Sequence, residues 1–342
     1  MRIVFNILVS LLVFGFLIFA HESGHFFFAK LSKVKVDEFA LGMGPAIFKK
    51  QFKDTVYSIR VLPIGGFVQM EGEDGDGESE NAFNKKAPWK RFFILVTGAV
   101  MNILLGFILI CAINSQREKL PTTVVDTFIN ESVSNSYGLK QNDEIIKINK
   151  YGINSYLDIS YALGTAGTDP VDILVIRDDC EYLLQDVSFP IIEDEKLGSH
   201  FEIDFYVYGV KRSFFSTIKY SFDWTVSITK SIYSFLGTIF TGKANFSQVS
   251  GPVSTTVAIG ESVQYGIDSL LLIVALISVN LGVVNLLPFP ALDGGRIFLL
   301  ILEVIRRKPL SEKVETAINA TGMILLITLM LVVAVKDIIQ LF

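Results

Sequence analysis

The sequence predicts a polytopic α-helical membrane protein, with four transmembrane helices, a β-hairpin region on the cytoplasmic side and one extracytoplasmic α+β domain. Three observations carry this. The 342 residues are 51% hydrophobic with a mean hydropathy of +0.48. Only 19% are charged, against about a quarter in soluble domains. The apolar residues gather into runs near the roughly 20 residues that cross a hydrocarbon core, whereas residues 118–208 read as a mixed soluble pattern. The net charge of −5 gives no case for nucleic-acid binding.

The first run, Ile3 to Ala29, follows Arg2 as a signal-peptide core would. It has no clean small-x-small cleavage site, however, and it carries His21-Glu22-Ser23-Gly24-His25 before continuing through Phe26-Phe27-Phe28. An HExxH on a helix sets His21 and His25 one turn apart on one face, where both imidazoles can bind one Zn²⁺, and Glu22 beside them can act as a base. Ionisable groups in lipid are costly and mark function. The next runs are Phe92 to Ile113, Leu270 to Leu287 and Ile318 to Val335. Basic residues crowd Lys30 to Arg91, and again Arg296 to Lys313, which places both loops in the cytoplasm and residues 114 to 269 outside. Phe214 to Phe240 is also apolar but returns Lys219, Asp223 and Lys230 to one side, as expected of a helix lying in the outer interface. The resulting divisions are 1–113, 114–210, 211–268 (interfacial helix and Gly-Pro loop) and 269–342. Cys111 and Cys180 are unsuited as partners, and no cysteine metal site follows.

Within the cytoplasmic loop, Tyr57 to Met70 alternates around Gly65-Gly66 and predicts a hairpin. The acidic run Glu71 to Glu80 does not fit an EF-hand and reads as a solvated linker. Outside, strands are expected at Val124 to Phe128, Glu144 to Asn149, Val171 to Arg177 and Leu183 to Phe189. Helices are expected at Ser132 to Tyr137 and Tyr156 to Gly164. The third span closes in Asn285-Leu-Leu-Pro288-Phe-Pro290-Ala-Leu-Asp293-Gly-Gly-Arg296, where two prolines interrupt the helix and Asp293 stands at its frayed end. An isolated Asp-Gly is a turn signal. Beside a two-histidine pair, Asp293 instead completes the three protein ligands of a catalytic zinc.

HESGH in the first span with NLLPFPALDGGR after the third resembles the site-2 proteases, intramembrane zinc metalloproteases, and in particular their bacterial branch. Gly42-Met-Gly-Pro45, Pro63-Ile-Gly-Gly-Phe67 and Ser250-Gly-Pro-Val253 match further segments of that branch. Thr97-Gly98-Ala-Val-Met-Asn102 lacks the usual proline of its counterpart, and Ser23 replaces a bulkier apolar residue. Tyr137 to Asn149 resembles the GLxxGDxIxxIN stretch of PDZ domains, with Asn142 at the usual glycine, so the outer domain is expected to be PDZ-like.

The resemblance implies a multi-pass protein of the bacterial inner membrane, with Zn²⁺ on His21, His25 and Asp293, Glu22 as the catalytic base, and the site towards the cytoplasm. It would cleave single-span proteins, such as anti-sigma factors or signal-peptide remnants, in or near the membrane after a first extracytoplasmic cut. The hairpin with Gly65 and Gly66 would hold substrate extended, Asn285 and Asn102 would bind its backbone or pack between helices, and the PDZ-like domain would screen or bind substrate ends. The rival reading is a PDZ-bearing scaffold or chaperone with a structural or inactive metal site, for which an intact Glu22 would be unnecessary. A transporter would show inverted repeats, and none is evident.

Overall fold

The computed structural model describes residues 2–73, 75, 77–129, 132–194, 198–242, 249–308 and 310–341. In chain order the elements are α1 (Arg2–Leu31), β1 (Val36–Phe52), β2 (Thr55–Met70), α2 (Pro88–Asn114), β3 (Lys119–Phe128), α3 (Val133–Ser136), β4 (Glu144–Ile148), β5 (Tyr151–Gly152), α4 (Tyr156–Ala166) and β6 (Val171–Arg177). There follow β7 (Cys180–Val187), β8 (Ile191–Asp194), β9 (Gly198–Phe201), β10 (Phe205–Lys211), α5 (Phe214–Phe240), α6 (Pro252–Ser262), α7 (Ile267–Asn285), α8 (Asp293–Arg306) and α9 (Glu312–Leu341). They form two compact units, one of Met1–Leu109 with Lys243–Phe342 and one of Ile110–Gly242.

Among the described residues, four helices are long and apolar enough to cross a membrane: Val4–Leu31, Pro88–Asn114, Ile267–Asn285 and Lys313–Gln340. Each covers a predicted run to within a few residues. Their outer faces present Leu12, Phe27, Ile324 and Leu331, all more than half exposed. Apolar surface on that scale suits lipid and would be a liability in water.

In the first unit β1 and β2 are longer than the predicted hairpin, and the turn lies at Lys53-Asp54 rather than at the glycines. The strands bend so that residues 38–41 sit between two segments of β2. On one side they pair with 66–69 (Leu41↔Gly66 to Glu38↔Gln69), on the other with 56–59 (Glu38↔Val56 to Leu41↔Ile59). Gly65, with φ +81°, lies inside β2 next to this change of partner, in a region of the backbone that glycine enters without strain. Val36, Phe39, Val68 and Met70 pack with Ala29, Ile94, Leu95 and Leu300 into one apolar core. The acidic run is a built loop where it is described. Glu71 Oε1 accepts the Ser79 N–H (2.7 Å) and its carboxylate pairs with Lys35 (2.9 Å). Asp74 and Asp76 lie outside the described residues.

The expected Gly-Pro loop is instead α6. Gly251 is its N-cap, Pro252 opens the first turn, and the buried Asp337 carboxylate on α9 accepts the Ser254 N–H (2.8 Å) and the Gly251 N–H (3.3 Å). Pro fits at that position because the first N–H groups of a helix have no partner within it.

The second unit is a sheet ordered β10-β3-β4-β6-β7, with β5 beside β4, and β8–β9 as a separate ribbon. The four predicted strands and both predicted helices are present within a few residues, with β3 extended back to Lys119. Leu139, Ile145, Ile148, Ile159, Val171 and Ile173 are fully buried in its core. The boundary expected at 210/211 falls away, because α5 belongs to this unit. Asp158 at the start of α4 accepts bonds from the Asn154 N–H (2.7 Å) and the Ser227 hydroxyl (2.7 Å), with Lys230 of α5 at 3.4 Å. The opposite face of α5 exposes Phe214, Phe215, Ile218 and Phe222.

Candidate metal centre

His21, Glu22 and His25 lie on α1, and the 3.6-residue turn brings the two imidazoles together with Nε2 atoms 3.2 Å apart. Asp293 is the first residue of α8, not a frayed end of α7. After α7 stops at Asn285, the segment of Pro288 and Pro290 closes local turns (Phe289 N–H to Leu287 O, Leu292 N–H to Phe289 O), and a new helix begins. Asp293 Oδ2 stands 3.1 Å from His21 Nε2 and 3.3 Å from His25 Nε2. The imidazoles are 11% and 9% exposed, and the three candidate ligand atoms converge at a largely buried point.

These separations can be tested against an ion. Tetrahedral zinc with bonds of about 2.0–2.1 Å places neighbouring ligand atoms roughly 3.3 Å apart. The three observed edges match that figure, and one side of the triangle opens on a cavity, as a site with a free coordination position requires. The ring nitrogens away from the triangle are also fixed. His25 Nδ1 is 2.8 Å from the Ile94 carbonyl oxygen, which can only accept, so Nδ1 carries the proton and Nε2 keeps its lone pair. His21 Nδ1 meets the Asn102 amide at 3.3 Å. The Asn102 Oδ1 is otherwise a buried acceptor without a partner. A half-turn of the amide sets that oxygen on His21 Nδ1–H and frees the second Nε2 in the same way. Room for these rings comes from α2, since a Cβ on Gly98 would lie 2.2 Å from His25 Nε2.

The sequence comparisons agree with this geometry. Residues 9–329 match the family model described as Peptidase family M50. The chain belongs to peptidase family M50. It is 37% identical over 342 residues to a protein of Clostridium acetobutylicum and 36% identical over 335 residues to one of Clostridium perfringens. Each alignment covers at least 97% of this chain and 98% of the relative, and both relatives carry the name "putative zinc metalloprotease". A Fusobacterium nucleatum protein of the same name is 34% identical over 354 residues. The chain is thus a zinc metalloprotease of the M50 type.

The cavity of this M50 peptidase measures about 1030 Å³ and is bounded by His21, Glu22, His25 and Asp293 on one side and by residues 66–70 on another. Among the described residues, 66–69 of that segment pair only with β1, while the Met70 carbonyl also accepts the Glu73 N–H (3.3 Å). Gly66 brings it close to the helix, because a Cβ there would stand 3.1 Å from Glu22 Cγ. Asn102, fully buried, meets His21 and is not among the residues that line the cavity, as the expected alternative of packing between helices would have it. Asn285 is half-buried at the end of α7, outside that wall. Past the strand, the Ser79 backbone N–H and the Lys35 ammonium hold the Glu71 carboxyl down at about 2. Three features escaped sequence reasoning: the Ile94 carbonyl, the Asn319 side chain in the cavity wall, and the ion pair of Arg296 with Glu73. A backbone acceptor has no residue-type signal, and the loop pairing depends on tertiary placement.

Proposed function

We propose that this M50 peptidase hydrolyses peptide bonds in or near the transmembrane segment of single-span membrane proteins, after a first cut outside, in a bacterial inner membrane. The observation that carries the reading is Glu22 in the wall of the same cavity as the three ligand atoms, on a membrane-spanning helix. His21, His25 and Asp293 would hold the zinc, which would supply Lewis acidity that lowers the pKa of the attacking water towards 7. Glu22 accepts a proton from the attacking water and returns it to the leaving nitrogen. Residues 66–69 offer a strand edge with no further strand on it among the described residues, to which an unwound substrate adds and recovers the backbone hydrogen bonds lost on leaving its helix.

The basic loops 30–91 and 296–313 support a site towards the cytoplasm and an outer location for residues 114–210, a PDZ-like domain that screens or binds trimmed substrate ends. Anti-sigma factors and signal-peptide remnants suit such a site. The test is Glu22→Gln in the zinc-loaded protein with a model single-span substrate in detergent. Zinc content is expected to stay at the wild-type level while cleavage is lost, and undiminished cleavage would refute the mechanism.

A further inference from the structure

The catalytic cavity has a neighbour. A second cavity of about 740 Å³ lies against α2, α8 and the loop after β2, and Gly72, Glu73, Gly75, Leu95, Arg296 and Glu315 belong to the walls of both. Arg296 Nη1 is ion-paired with Glu73 Oε1, so this pair stands in the partition. On the far side Arg91 is neutralised by Glu303 (3.1 Å), whose other oxygen accepts the Leu310 N–H (3.0 Å). The exposed Arg307 and Lys308 lie beyond it in the wall of the second cavity. Arg296 is three residues past Asp293 on α8, and hence on nearly the same helical face as the ligand carboxylate.

Peptide hydrolysis makes a charge where there was none. The C–N bond breaks, a C–O bond forms from water, both water hydrogens end on nitrogen, and the fragments leave as a carboxylate and an ammonium. A new carboxylate among the partly buried walls of the cavity is costly until a cation meets it. We propose that Arg296 is a product-carboxylate subsite: its guanidinium exchanges Glu73 for the carboxylate that hydrolysis creates, which opens the partition and directs that fragment into the second cavity towards Arg307 and Lys308. A guanidinium suits the exchange because its planar fork binds either carboxylate in two-point fashion. Glu73 acts as a competing internal ligand that keeps the subsite closed between turnovers.

The inference rests on the hydrolytic reading, so its test uses binding and needs no turnover. Fluorescence anisotropy would compare an apolar labelled decapeptide ending in a free carboxylate with its C-terminal amide, on the zinc-loaded full-length protein in detergent. Wild type is expected to prefer the acid by about tenfold, the value of one charge-assisted contact. Arg296→Gln brings the acid-to-amide ratio near one. Glu73→Gln removes one internal competitor and tightens acid binding several-fold with amide binding unchanged, which a merely structural ion pair would not do. An Arg296→Gln protein that keeps the full ratio would assign the preference to the metal and overturn the proposal. So would a Glu73→Gln protein whose acid affinity is unchanged or weaker, and this second variant decides the matter even if the first does not fold. Failure of the hydrolytic reading is distinguishable, since it appears as unaltered cleavage by Glu22→Gln.

Discussion

At the scale of single residues the centre depends on which imidazole nitrogen is bare, and this is set from α2. His25 is fixed by a backbone carbonyl that no side-chain substitution removes, whereas His21 relies on Asn102. Asn102→Leu leaves the buried His21 Nδ1–H without its acceptor and is therefore expected to weaken zinc binding by roughly 10–100-fold. Competition with a chelator measures it, and wild-type affinity would show that His21 needs no orienting partner. His21→Ala, His25→Ala and Asp293→Ala remove ligands outright and are expected to abolish stoichiometric zinc. Glu22→Gln, by contrast, should lose at least ~10²-fold in cleavage at full zinc occupancy. Metal analysis of the four purified proteins separates the two classes. His21 and His25 were readable as candidate ligands because HExxH sets them one helical turn apart, whereas Asp293 came through the family resemblance that its segment carries. Asn102 was legible as a polar residue in a span, but not its role, since nothing in one sequence says which helix faces which.

Individual elements were legible to the degree that their signal is local. The four spans announce themselves by hydropathy, and β4 and β6 by alternation and branched side chains. By contrast, α8 follows two prolines, and its first turn holds Gly294-Gly295, so propensity argues against a helix that packing nonetheless enforces. The β1–β2 ribbon was half seen. Gly42, Gly44 and Pro45 dilute the alternation of β1, and the change of partner near Gly65 disguises the turn at Lys53-Asp54. Two predictions belong here. Gly66→Val must push the strand away from Glu22 and Ile18, with an expected loss on the order of 10²-fold in cleavage at unchanged zinc content. Equal activity would show that the strand does not position substrate. The loop beyond β2 carries a pH signature, because Glu71 falls from 4.5 unfolded to about 2 folded. A depressed carboxyl contributes stability above its unfolded value and loses it as pH falls through the folded one. Protection of loop amides from exchange should therefore exceed that of Glu71→Gln at neutral pH, with the difference shrinking below about pH 4.5 and gone by about pH 2. A pH-independent difference would remove the assignment.

For the whole molecule, the decisive question is which side of the membrane each part occupies, and we propose an answer from charge rather than packing. Hydropathy counts the crossings, while the sense of the first crossing comes from Lys and Arg near the span ends. Four spans must return both termini to the side on which they began, so the basic loops 30–91 and 296–313 have to agree with each other, and they do. Reading α5 as a fifth crossing would break that agreement. Its bonds to Asp158 keep α5 within the 110–242 unit, and we propose for it an outer, interfacial position with Phe214, Phe215, Ile218 and Phe222 towards lipid. The topology is therefore testable with one native and one introduced thiol. Cys180 is exposed and Cys111 half-buried. In a Cys111→Ser background, a membrane-impermeant maleimide applied to spheroplasts is expected to label Cys180. After Cys180→Ser and Lys53→Cys, a thiol at the exposed hairpin turn should react only once the membrane is permeabilised. The reverse pattern would place the catalytic cavity and its strand edge outside. Labelling of both thiols in intact spheroplasts would mean that the number of crossings between residues 53 and 180 is even, contrary to the single span Pro88–Asn114.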